Sequence, residues 1–393
     1  MSQLKGARGA GVLAVAFAFA VGCSDPPTSP TDPSEPSPPP SGSGRFVAAQ
    51  LLALPDFASA MVFTGVDRIL YTEKGGFGGV RDASVRLVED GRLAGEAVIT
   101  FSDVETRSEK GLLGIALDPD YTSNRLVYVF YTHARSNRNR VVRFRDDRME
   151  QTSADATVVL GDLPTDDCGN HQGGNIAFGP DGMLYVTIGD NGCDRCLSQD
   201  PRTLAGKILR FTRDGDVPGD NPFAGAPFPR SAFFATGLRN SFDFAIHPRT
   251  GEIVATENGP SMNDEINHIV AGENYGWPFF QCAEDRGNVC PSSERPNQKP
   301  PLRCHGNVIA PTGITFYDAT AYPAGFRDSV FYGDFNTGTL RRLVLSDDAD
   351  TLLTEDQQFL SGFGTIIDIV VGPDGLLYVL TDSDIQRIDF LLN

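Results

Sequence analysis

The chain has 393 residues, 40% of them hydrophobic, which is ample for a large core, and its 42 glycines and 27 prolines suit a turn-rich sheet protein better than a helical one. Lysine plus arginine number 33 against 51 acidic residues, and the net charge of −18 argues against a nucleic-acid partner, because phosphate neutralisation needs basic patches. The same acidity fits an extracytoplasmic protein or one whose acidic loops hold cations.

At the N-terminus, Lys5 and Arg8 precede the apolar run Gly11 to Val21, which is too short to cross a bilayer. Ala20-Val21-Gly22-Cys23 is similar to a bacterial lipoprotein signal. Residues 1–23 are therefore predicted to be a signal peptide that exports the chain. A lipid on Cys23 would anchor it to a bacterial membrane, facing the periplasm or the exterior; ordinary secretory cleavage is the alternative. Residues 24–44 are rich in Pro and Ser with almost no apolar content, so they read as a disordered, semi-extended tether.

From residue 45 to 393 a strand, a turn rich in Pro, Asp and Gly, and a second strand recur at irregular intervals. Asp118-Pro119-Asp120, Pro180-Asp181-Gly182, His247-Pro248-Arg249 and Pro373-Asp374-Gly375 are such turns. In Met183 to Ile188, Met183, Tyr185 and Thr187 alternate with Leu184, Val186 and Ile188, the period of a pleated strand. Amphipathic helical stretches are absent. Degenerate strand-turn-strand units suggest radial blades, and at about 50 to 60 residues per blade the fold predicted is an all-β, six-bladed β-propeller, with a β-sandwich or β-helix as the alternative.

Cys168, Cys193, Cys196, Cys282, Cys290 and Cys304 remain once Cys23 is set aside, an even number that favours disulfides in an exported chain. Three fall in each of two regions, so full pairing needs at least one bridge between the regions. A zinc site from Cys168, His171, Cys193 and Cys196 is the alternative.

His171 stands in Asn170-His171-Gln172-Gly173-Gly174-Asn175, a loosened loop ahead of a strand, where sheet proteins keep their chemistry. Around it are the strings Glu109-Lys110-Gly111-Leu112-Leu113-Gly114, Gly206-Lys207-Ile208-Leu209-Arg210, Gly237-Leu238-Arg239-Asn240-Ser241, Glu257-Asn258-Gly259-Pro260, Asn263-Asp264-Glu265-Ile266-Asn267 and Asn274-Tyr275-Gly276-Trp277-Pro278. In this order, over most of the chain after the tether, they resemble the soluble glucose/sorbosone dehydrogenase family. These are six-bladed propellers that include aldose dehydrogenases using pyrroloquinoline quinone (PQQ) and calcium.

The resemblance implies an extracytoplasmic, PQQ- and Ca2+-dependent dehydrogenase that oxidises the anomeric carbon of an aldose sugar, a small-molecule substrate. His171 matches the general base, a task suited to an imidazole whose ordinary pKa is near working pH. Arg239 matches the catalytic arginine that polarises the quinone carbonyl, with Asn240, Gln172 and Glu109 as further cofactor contacts. Gly259 and Pro260 match carbonyl ligands of an active-site calcium, and Glu265 and Tyr275 match ligands of a structural one. A solvated acidic loop is the plainer reading of Asp264 and Glu265.

The chain also departs from the family pattern. Asn170 stands where some members carry Asp, which removes a carboxylate from beside the base, and Glu109 replaces a cofactor-contacting Gln. Asn336 or Thr337 stands in place of a lysine, and Thr365 and Ile367 in place of an Arg-x-Arg pair, all of which would neutralise PQQ carboxylates. Arg341 and Arg342 are the nearby cations, of which strand alternation lets one face any given side. Gly333-Asp334-Phe335 with its polar turn is similar to propellers resembling Hedgehog-interacting protein. Hence a cofactor-free module binding glycan or protein is the second reading, and a metal-assisted hydrolytic propeller using His171 the third.

Overall fold

The computed structural model describes residues 43–393 apart from Ala283, Ser292, Asp347, Asp348, Asp350 and Glu355. The expected signal peptide, the lipid-bearing Cys23 and the tether up to residue 42 lie outside the described residues. Among the described residues, strands form six antiparallel four-stranded blades, and helix is confined to the four-residue turn Tyr121–Asn124 and four short 3-10 segments. No helix among them is long and apolar enough to cross a membrane. The all-β, six-bladed propeller expected from the turn pattern is the fold observed.

The innermost strands of the blades, in order, are Ala58–Gly65, Leu112–Leu117, Ile176–Phe178, Phe244–Ile246, Pro311–Tyr317 and Ile366–Val371. Each touches the next, and the sixth touches the first, so they line a closed ring. The sixth blade takes its outermost strand from the other end of the chain: Gly44–Ala53 pairs antiparallel with Asp384–Leu392, with Gly44 opposite Leu392. This pairing closes the ring and leaves that blade no open inner seam.

There is no single central core. Six apolar clusters each fill the wedge between two neighbouring blades. The alternation in Leu184–Ile188 shows how one strand serves two wedges. Leu184, Val186 and Ile188 pack toward the second blade, whereas Tyr185 packs toward the fourth. Both faces are buried, each large apolar side chain contributing on the order of 1.5–3 kcal/mol.

Polar bonds around the channel tie each inner strand to the next. Ser59 Oγ donates to the Leu112 carbonyl at 2.6 Å, and Gly114 N to the Gly174 carbonyl at 3.0 Å. Asn175 donates to Asp243, whose other oxygen accepts from Ile314 N at 2.8 Å. Thr312 Oγ1 donates to the Ile366 carbonyl at 2.6 Å, and Asp368 completes the circuit by accepting from Met61 N at 2.8 Å.

The cysteines pair as Cys168–Cys193, Cys196–Cys290 and Cys282–Cys304. Cys196–Cys290 is the bridge between regions that the count required. The zinc alternative is overturned, because its three cysteines are consumed in two different disulfides.

Candidate active site at one mouth of the ring

In such a ring, the loops from one blade's outermost strand to the next blade's innermost strand emerge on the same side as the loops between second and third strands. Glu109 lies in the loop entering the second blade, His171 in that entering the third, and Arg239 and Asn240 in that entering the fourth. Gly259 and Pro260 lie between the second and third strands of the fourth blade. Residues separated by 150 positions therefore share one mouth.

His171 adopts a left-handed φ of 53°, and its N–H donates to Glu109 Oε2 at 2.6 Å. The same oxygen accepts from Gln172 N and Asn240 Nδ2, each at 3.3 Å, so Glu109 joins three mouth loops. Gly189 has to lack a side chain, since a Cβ there would collide with the His171 carbonyl oxygen. This close approach brings the end of the third blade's second strand beside the imidazole.

That strand end supplies Asp190, to which the sequence reading assigned no role. Its Oδ1 lies 2.6 Å from His171 Nδ1, and it is 1% exposed. The carboxylate absent at Asn170 is thus supplied from another loop, which corrects the expectation that His171 lacks one. Asn170 instead bonds Ser108. An ionised carboxylate only accepts, so beside one Nδ1 is the donating ring nitrogen. Asp190 Oδ1 also accepts from Gly192 N at 2.9 Å, and its Oδ2 from Trp277 Nε1 at 2.9 Å.

Arg239 is half-buried beside this pair. Its Nη1 donates to the carbonyls of Asn258 at 2.7 Å and Gly259 at 3.1 Å, and the guanidinium lies 5.5 Å from the Trp277 ring centre. Burial pulls the guanidinium below its ordinary pKa, against the attraction of Asp190, Glu257, Glu109 and Asp264, and it remains a cation. Asn240 accepts from Gly173 N at 3.3 Å and donates its own N–H to Glu257 at 2.5 Å.

Gln172 does not act as expected. Its side chain is fully buried, its oxygen accepting from Asn139 at 3.0 Å and Thr165 at 2.8 Å while its nitrogen donates to the Asn170 carbonyl at 2.9 Å. It braces the His171 loop rather than offering a side-chain contact to a cofactor.

The acidic oxygens behind Arg239 are not a solvated loop, because Asp264 is fully buried and Glu265 only 6% exposed. Asp264 caps the N–H groups of Gly259, Ile309 and Ala310 at 2.7–2.8 Å. Glu257, Glu265 and Tyr275 line a cavity of about 10 Å³, room for one water-sized particle. Burial pushes Glu257 up to about 8, the Glu265 charge adding to the effect. Asn267 donates to Glu265 at 3.1 Å while its own buried Oδ1 has no hydrogen-bond partner. Tyr275 donates its hydroxyl to the His268 carbonyl at 2.5 Å and accepts there from Val270 N at 2.8 Å. Pro260 is exposed.

The opposite side of the mouth is different. Asn336 and Thr337 are exposed, bonding the Val308 carbonyl and Asp334 respectively. Thr365 is half-buried, and Ile367 lines a channel cavity of about 40 Å³ with Glu109 and Asp368. Arg341 is held by Asp356 at 3.5 Å and Asp334 at 3.8 Å. Arg342 bonds Ser329 and the Gly325 carbonyl and covers the Phe326 ring. Neither arginine is spare.

A histidine–carboxylate pair, a guanidinium and a buried acidic oxygen cluster thus gather at one mouth of a six-bladed ring. Residues 57–389 match the model of the Glucose / Sorbosone dehydrogenase family, and the chain belongs to it. It is 33% identical over 326 residues to an uncharacterised Synechocystis protein, slr1608, covering 77% of this chain and 78% of that one. With the aldose sugar dehydrogenase YliI of Escherichia coli it shares 30% identity over 319 residues, covering 77% and 83% of the two chains. The PQQ-bound aldose sugar dehydrogenase of Streptomyces coelicolor superposes with a TM-score of 0.71 at 27% identity, over 90% of this chain and 99% of that one. The protein is thus aldose-sugar-dehydrogenase-like.

Proposed function

We propose that the protein is an extracytoplasmic sugar dehydrogenase that oxidises the anomeric carbon of an aldose with PQQ and calcium, His171 being the base. The observation that carries this reading is the His171–Asp190 pair at 2.6 Å with Arg239 beside it.

His171 Nε2 accepts the proton of the anomeric hydroxyl, and Asp190 stabilises the imidazolium that results. Arg239 offers positive charge to an oxygen that gains electron density during the reaction. Asn240 and Glu109 keep the loops bearing these two groups in register. PQQ, when bound against His171, Arg239 and Asn240, supplies a two-electron acceptor for the hydrogen leaving the anomeric carbon. Calcium fits the chemistry of the Glu265 carboxylate, a hard oxygen donor that lines, with Glu257 and Tyr275, a cavity with room for one water-sized particle. The Gly259 carbonyl is shared with Arg239, so an ion there would compete with the guanidinium.

The test is a titration of the purified protein with PQQ and Ca2+, followed by quinone absorbance and thermal midpoint. Saturable binding at micromolar PQQ and a calcium-dependent rise in midpoint are expected. Absence of binding would favour the cofactor-free binding module, a reading supported by the uncharged Asn336, Thr337, Thr365 and Ile367.

A further inference from the structure

We infer that Trp277 is a positioning residue that couples the base to the arginine, an inference that rests on the reading of His171 as the base. Asp190 has two oxygens, and they are used differently. Oδ1 holds His171 and the Gly192 N–H, whereas the indole N–H of Trp277 is the donor to Oδ2. Indole nitrogen donates and cannot accept, so this bond orients the carboxylate in one sense only.

The same ring carries the Arg239 guanidinium on its face. The main chain of Trp277 is pinned as well. Its N–H donates to the Gly237 carbonyl at 2.9 Å, two residues before Arg239, and its carbonyl accepts from Gln199 at 2.6 Å. Asp190 N in turn donates to the Arg239 carbonyl at 2.7 Å. Trp277 therefore touches both Asp190, the partner of His171, and Arg239, and it is 8% exposed.

A carboxylate with more donors has its charge better stabilised and leans less on its remaining partner. Removing the indole N–H leaves a buried Asp190 oxygen unpaired and draws Asp190 toward the imidazolium, so the His171 pKa rises. The charged groups around the imidazole are Asp190, Glu109 and Arg239, and Trp277→Phe alters none of them while keeping a ring under Arg239.

Trp277 is the sole tryptophan and His171 one of five histidines, which gives two clean signals in the protein without cofactor. In the wild type, the single indole N–H resonance should titrate with the His171 imidazole and become flat in His171→Gln. In Trp277→Phe, the His171 pKa should rise by about half a unit or more. After loading with PQQ and calcium, kcat should fall roughly tenfold with the sugar KM little changed, as expected for a buried acceptor left unpaired. An indole resonance insensitive to pH, or an unmoved His171 pKa, overturns the inference. Absence of sugar oxidation by the loaded wild type, with both titrations as expected, would instead remove the functional reading and leave the positioning role standing.

Discussion

The two sides of the mouth are built to different standards. On the side of the second to fourth blades, Glu109, His171, Asp190, Arg239, Asn240 and Glu257 bond one another across the mouth loops, and a disulfide, Cys168–Cys193, flanks the His171–Asp190 pair. On the side of the fifth and sixth blades, Asn336 and Thr337 are exposed, Ile367 is apolar, and both nearby arginines are held by their own blade. The comparison teaches that the bonded network is dense around the proposed base and thin where an anion would need counter-charge. On the proposed reading, cofactor affinity and turnover can therefore be altered separately.

The largest way to break the contrast is at the base itself. His171→Ala should lower turnover by about 10²–10⁴-fold, the span of a positioned general base, while PQQ affinity measured by absorbance stays close to wild type. Asp190→Asn comes next. It preserves the volume but replaces an acceptor-only group with an amide that can face Nδ1 either way, and turnover should fall about 10²-fold with a lowered His171 pKa by NMR. Replacing Cys168 and Cys193 by serine unfastens the loops three residues from His171 and from Asp190. A midpoint loss equivalent to about 3 kcal/mol follows from the 25-residue separation, and denaturant unfolding checks it.

The thin side can be sharpened by adding charge. Asn336→Lys or Thr365→Arg should tighten PQQ several-fold without changing kcat, whereas unaltered affinity would mean that the ligand's carboxylates do not lie on that side. The smallest effect concerns the channel. Burial raises Asp368 to about 6 and raises Asp243 as well, Asp368 adding its charge to the effect. The folded carboxyl keeps its proton to higher pH than the unfolded one. Its contribution is therefore full below about pH 4 and lost as pH rises through about 6, so wild-type stability relative to Asp368→Asn should decline across that window in urea unfolding.

Much of the fold was legible because turn chemistry is local. Pro180-Asp181-Gly182 and Pro373-Asp374-Gly375 form matching turns in which the Asp bonds the Tyr four residues on, Tyr185 and Tyr378, each at 2.9 Å. The period-two pattern in Leu184–Ile188 identified a strand, but only packing reveals that its two faces serve different wedges. Nor could periodicity name the partner of Gly44–Ala53, which waits at the far end of the chain.

At the site, His171, Arg239, Asn240 and Glu109 were visible through motif strings. Asp190 was not, because it meets His171 by a strand passing close at Gly189, and no spacing rule encodes that approach. Gln172 was misjudged for the converse reason: adjacency to the base says nothing about which way a side chain turns.

The most direct test is sugar-dependent dye reduction by the protein loaded with PQQ and calcium, run beside His171→Ala with bound quinone quantified in both. Aldose oxidation in the wild type and its loss in His171→Ala at equal quinone occupancy is the predicted result. Quinone bound without any sugar oxidation in the wild type, or oxidation that survives the loss of the imidazole, would contradict it.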